Sequence, residues 1–195
     1  MRVLVGGVGY RNLRDHSFGV LLVDALGARE WPAHVAVEDI SYNPIAVLQR
    51  LEDDPPARRF GLAIVAGAVE RGRRPGTLDV YRWDQTLPDD AAIQSAVAEA
   101  VTGVIALDNT LVVTRRLGTL PPTTVVLDAE PALHAFGRDV SPAVARALDT
   151  AGDIVTSLAL DPGSAALLRE LPLGAGRPAR GRLATKVSDV RIRFR

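Results

Sequence analysis

Cysteine is absent from the 195-residue chain. That excludes disulfides, thiolate metal sites and a cysteine nucleophile. Any metal or acid–base chemistry must therefore use nitrogen and oxygen donors, and imidazoles are few: His16, His34 and His134. Net charge is absent as well, because 23 basic residues balance 23 acidic ones. Whole-chain electrostatics thus point to neither nucleic acid nor a membrane surface. No apolar run reaches the roughly 18 residues needed to cross a bilayer. The opening Met1-Arg2 leads into a strand-like run without a signal-peptide pattern, which predicts a cytoplasmic protein. Three signatures are missing too: the G-x-S-x-G elbow, the phosphate loop ending in G-K-[ST], and G-x-G-x-x-G spacing. Ser17 lies next to His16, but adjacency in sequence does not supply nucleophile–base geometry. Repeats and low-complexity segments are also lacking.

What remains is an ordinary globular composition, 47% hydrophobic and 24% charged, at a length that suits one domain. The charge is unevenly spread. Residues 171–195 hold seven basic side chains and one acidic, a net +6, leaving −6 on the rest. Gly174, Gly176, Pro178 and Gly181 loosen the first part of this tail, while Val190, Ile192 and Phe194 alternate as in a strand. We divide the chain into a domain over residues 1–170 and a basic tail over 171–195. The tail reads either as a loose segment lying on an acidic body or as an edge strand or partner-ordered element.

Strand and helix signals alternate along the domain. Strands are expected near residues 2–6, 34–39, 61–66, 77–83 and 123–127. Helices are expected from Ser17 to Gly27, from Asn43-Pro44 to Pro55, from Asp89 through Val104, and from Ser141 to about Leu158. The third strand is apolar throughout, as a strand covered on both faces must be. The pattern predicts an α/β three-layer sandwich: a mostly parallel central sheet of about five strands with helices on both faces.

In such a fold the loops after the strands meet at the carboxyl edge of the sheet. That would gather Gly7, Gly9, Asp15, His16 and Ser17 with Glu38, Asp39 and residues 67–70, including Gly67 and Glu70. An imidazole with two or three carboxylates suits zinc or nickel, so His16, Asp15 and Asp39 are the candidate metal ligands. Each has a plainer reading: Asp15 as a helix cap, His16 as a surface residue, Asp39 as a turn former beside Ser41. His134 reads as a half-buried loop histidine. His34 lies at the opposite end of the sheet and is assigned no role.

The stretch from Val3 to Val20 resembles the opening of the nickel–iron hydrogenase maturation proteases. Gly7-Val8-Gly9 matches the family's glycine loop, Asp15 its first acid, and Gly19-Val20 its helix glycine. Tyr10 replaces the usual Asn, and His16 replaces a metal-binding carboxylate. Pro75-Gly76-Thr77, Glu130-Pro131, Gly137 and Val140-Ser141-Pro142 continue the resemblance over residues 1–160. In that family an acid after the first strand, an Asp after the third and a helical His hold the metal. The second position falls on Gly67 and the third near Gly103, so this looks like a divergent member with altered metal ligands.

The resemblance implies a protein client, the C-terminal region of a hydrogenase large subunit or similar. It also implies nickel or another divalent ion carried by the client, with no catalytic residue assigned. Two functions compete: a binding or assembly factor that no longer cuts, and an endopeptidase with a rearranged site. A third is an unrelated hydrolase on the same scaffold.

Overall fold

Alternating segments build layers around one sheet. The computed structural model describes residues 1–174 and 190–192. Its elements are β1 (Val3–Val8), α1 (Phe18–Gly27), β2 (Val35–Asp39), α2 (Pro44–Glu52), β3 (Leu62–Ala68), β4 (Leu78–Trp83), α3 (Asp90–Val101), α4 (Leu107–Arg116), β5 (Thr123–Ala129), α5 (Pro142–Leu160), β6 (Glu170–Leu171) and β7 (Val190–Ile192). The strand order is β2-β1-β3-β5-β4-β6, with β7 also paired to β4. The first four strands in that order are mutually parallel, and β4 runs antiparallel to β5.

Period-two alternation divides the core between the faces. Val3 and Val5 of β1, with Leu62 and Ile64 of β3, pack against Phe18, Leu22 and Leu26 of α1 and Val144, Ala151 and Val155 of α5. Leu4, Ala63 and Val65 face the other way, onto Val47 and Leu51 of α2 and Leu107 and Leu111 of α4. Ile93 and Ala96 of α3 pack on Val112 and Val113 of α4. The expected three-layer α/β sandwich is the observed fold.

Several boundaries differ from the sequence reading. The helix expected through Val104 ends at Val101, and a second helix, α4, follows from Leu107. Thr102 closes α3, and Gly103 follows with φ +87°, a conformation glycine adopts without strain. The second of these helices, α4, was not anticipated. Two short strands extend the expected five. Of the tail, Leu171 and residues 190–192 pair with β4. Residues 175–189 and 193–195, and with them the expected loosening at Gly176, Pro178 and Gly181, lie outside the described residues.

The connection from β3 to β4 spans residues 69–77 and carries no helix. Because β5 lies between those two strands, this connection crosses the carboxyl end of β5. Its side chains are thereby laid over Asp128 and Glu130.

Candidate active site

The glycines at the end of β1 let α1 approach the sheet. A Cβ on Gly7 would stand 2.2 Å from the Gly19 carbonyl oxygen, and one on Gly19 would stand 2.4 Å from the Val8 and Ala66 oxygens. Any side chain at either position would push the helix away. A Cβ on Gly9 would likewise meet the His16 carbonyl at 2.4 Å. Between Gly9 and α1 the chain turns sharply. Asn12 and Arg14 take positive φ values of 61° and 43°, and a 3-10 turn, Arg14–Ser17, leads into the helix. Arginine is strained there, so surrounding contacts must hold it. The Arg14 amide donates to the Gly137 carbonyl and the Gly137 amide to the Asn12 carbonyl, at 3.0 and 2.9 Å. Ser17 is buried, and its hydroxyl accepts from the Leu13 amide at 3.0 Å.

Two buried carboxylates lock three loops together. Asp15 is wholly buried. It accepts from the amides of Ala132, Leu133 and Ser141 and from the Ser141 hydroxyl, at 2.6–3.0 Å. Burial alone would raise its pKa. The hydrogen bonds, led by the Ser141 amide, outweigh burial and hold the carboxyl below its ordinary value. The Ser141 hydroxyl in turn caps α5 through the Val144 amide. Glu130 performs the matching task for the 69–77 connection, accepting from the amides of Arg71 and Gly72 and from Arg73 Nε. Beneath it Arg73 is also paired with Asp79 at 3.3 Å and with Asp128, and Arg71 is paired twice with Asp108 at 2.7 Å.

At the junction of the three loops stand His16, Glu70 and His134, one from each. His16 Nε2 lies 3.6 Å and His134 Nδ1 3.9 Å from Glu70 Oε1. The imidazole centroids are 4.3 Å apart with planes inclined at 40°. His16 is the half-buried member, its side chain 17% exposed, against 67% for Glu70 and 64% for His134. Its Nε2 is shut off from solvent without a hydrogen-bond partner. Burial first, and then the neighbouring His134, keep the His16 imidazole below its ordinary pKa against the opposing pull of Glu70 and Asp15. His16 is therefore neutral at pH 7, with a lone pair available on one nitrogen. The three side chains line a cavity of about 340 Å³ with Gly72, Glu130 and Pro131.

The other candidate ligands are engaged elsewhere. Asp15 neighbours His16 in sequence, but all its acceptor capacity goes to the 132–141 backbone and Ser141, and it does not cap α1. Asp39 pairs with Arg11 at 3.0 Å and accepts from the Ser41 amide at 3.0 Å. Glu38 pairs with Arg50 at 2.5 Å. His134, read as half-buried, is an exposed side chain lying over His16. The adjacent Glu130-Pro131 was the available sequence signal that this loop reaches the site. Nothing in the one-dimensional pattern marked Arg71 and Arg73 as buried.

No family profile matches the chain, nor does any curated protein. Solved structures do. The hydrogenase maturating endopeptidase HybD from Escherichia coli superposes with a TM-score of 0.63 at 23% identity, covering 84% of this chain and 94% of HybD. An Escherichia coli endopeptidase in solution gives 0.61 at 27% identity over 84% of this chain and 94% of that one. A hydrogenase 2 maturation peptidase from a Thaumarchaeota archaeon gives 0.58 at 26% over 83% and 99%. The chain shares its fold with these hydrogenase maturation endopeptidases.

Of the two positions where the resemblance puts further metal ligands, Gly67 is closed by packing and Gly103 lies in an exposed turn. Gly67 ends against α4: a Cβ there would stand 3.1 Å from both Leu107 Cβ and the Val8 oxygen. Leu107 is itself buried and fills the space. Gly103 sits in the turn between α3 and α4, and its carbonyl lies 3.5 Å from the Tyr10 hydroxyl. That hydroxyl also accepts from the Ile105 amide at 2.6 Å. Tyr10, which replaces the family's Asn, thus pins this turn to the glycine loop.

Proposed function

We propose that this protein acts on the C-terminal region of a hydrogenase large subunit, or of a similar metal-bearing client, by binding it without cutting. The supporting observation is the closure of Gly67 by Leu107. A side chain that would grip the client's metal at that position is missing, and a buried leucine occupies its space. Positioning of a scissile bond is worth roughly 7–11 kcal/mol in favourable cases, so losing metal-gripping groups removes orders of magnitude in rate. The crevice and its locked loops survive that loss, because Asp15 and Glu130 hold them independently of any metal. The nickel or other divalent ion of the client enters as part of the substrate. We place the protein in the cytoplasm, where such a client would be assembled.

Cleavage by a rearranged site is the competing reading, and the convergence of His16, Glu70 and His134 favours it. Incubation of the purified protein with a metal-loaded client precursor separates the two. The expected outcome is co-purification with the precursor and an unchanged precursor mass. Stoichiometric C-terminal trimming that vanishes in His16→Ala would replace binding by proteolysis. Absence of both capture and trimming would remove the client assignment.

A further inference from the structure

We propose that His16, Glu70 and His134 together form a site at which this chain itself holds a divalent transition metal of the zinc or nickel class. This deepens the functional reading above, on which it rests only for the use made of the ion.

The geometry is close to that of an occupied site. A tetrahedral ion with ligands at about 2.0–2.1 Å sets its donors about 3.3 Å apart. Here the two imidazole-to-carboxylate separations are 3.6 and 3.9 Å, and all three donors lie within 4.8 Å of one another. Closing on an ion needs these separations to shorten by about 0.3 Å to at most about 1.5 Å. Two of the three side chains are exposed and free to make them. The third, His16, is fixed and carries a buried nitrogen without a partner. Leaving such a group unsatisfied is costly, and a bound ion would supply the missing partner.

The donor set selects the ion. Two imidazoles and one carboxylate suit zinc, nickel or cobalt, whereas calcium and magnesium require oxygen ligands throughout. Glu130 lines the same cavity, but its oxygens are bonded by Arg71, Gly72 and Arg73, so it is not a fourth ligand. Three protein ligands facing a cavity of about 340 Å³ leave coordination positions open to water or to a client's donor group. Two of these ligands stand at positions other than those the family resemblance supplies, since Gly67 and Gly103 offer no side chain.

Isothermal titration of the full-length protein with Zn²⁺ or Ni²⁺ alone, and Co²⁺ monitored by visible absorption, tests the site. One ion per chain is expected, with no heat from Mg²⁺ or Ca²⁺. His134→Ala, an exposed change that leaves the fold intact, should weaken binding at least about tenfold, the scale on which even outer-shell partners act. Glu70→Gln should weaken it too, and His34→Ala should not. No binding by the wild type, binding unchanged in His134→Ala, or binding only when a client peptide is added would each overturn the site. Capture of a client precursor is measured separately. Loss of capture with the ion retained would strike the functional reading and leave this site standing.

Discussion

At Gly67 a single hydrogen separates this protein from a chain with a carboxylate at the end of β3. Restoring that carboxylate will not restore a ligand. In Gly67→Asp the Cβ meets Leu107 and the Val8 carbonyl at 3.1 Å, and the carboxylate is driven into apolar surroundings. Overpacking of this kind costs about 1–3 kcal/mol, and a desolvated charge adds to it. Thermal denaturation should show a clear fall in midpoint, larger than for Gly67→Ala, with Zn²⁺ affinity no better than wild type. A variant of wild-type stability with tighter metal binding would contradict the role given to Leu107. The same residue scale shows what one dimension hides. Asp15 and His16 are adjacent and chemically matched as ligands. The 3-10 turn sends one inward to Ser141 and the other toward Glu70. Spacing alone does not determine which.

Among the elements, those with strong periodicity were legible: the apolar β3, the capped and proline-started α5, and the glycine turn after β1. The misreadings arose where a tertiary contact outweighed a local pattern. Val97 and Val101 continue the apolar pattern of α3 yet are exposed, because among the described residues the face that packs on α4 carries Ile93 and Ala96. The direction of β4 had an unused signal. A nine-residue connection without a helix is too short for the usual parallel crossover. Its passage over β5 creates the buried cluster of Arg73, Asp79, Asp128 and Glu130. Arg73→Leu removes a cation shared by three buried carboxylates and should cost about 3–5 kcal/mol, read by urea denaturation. Asp128 should respond differently. Burial, opposed by Arg73 and Arg71 and reinforced by Asp79, raises its pKa above the ordinary 3.8. A carboxyl raised on folding contributes its full stability below that ordinary value and loses it as pH rises through the folded one. Asp128→Asn escapes this loss. Its stability relative to wild type should therefore climb from pH 4 to pH 7, and a flat or falling difference would show that Asp128 is not a raised carboxyl.

For the whole molecule, alternation of strands and helices was enough to reach the three-layer sandwich and the edge at which its loops meet. It could not reveal that those loops are locked to one another, since the bonds join residues more than 50 positions apart: Asp15 to 132–141 and Glu130 to 71–73. Locking has a consequence for how this edge trades hydrogen with solvent. Surface loops commonly exchange their amide protons quickly, because nothing holds the N–H groups closed. Here the amides of Ala132, Leu133, Ser141, Arg71 and Gly72 end on buried or nearly buried carboxylates. Deuterium uptake should find them protected on the timescale of the strands rather than of loops. Asp15→Ala should release the first three while leaving Arg71 and Gly72 slow. Rapid uptake at all five in the wild type would mean that the crevice is assembled only when something binds in it.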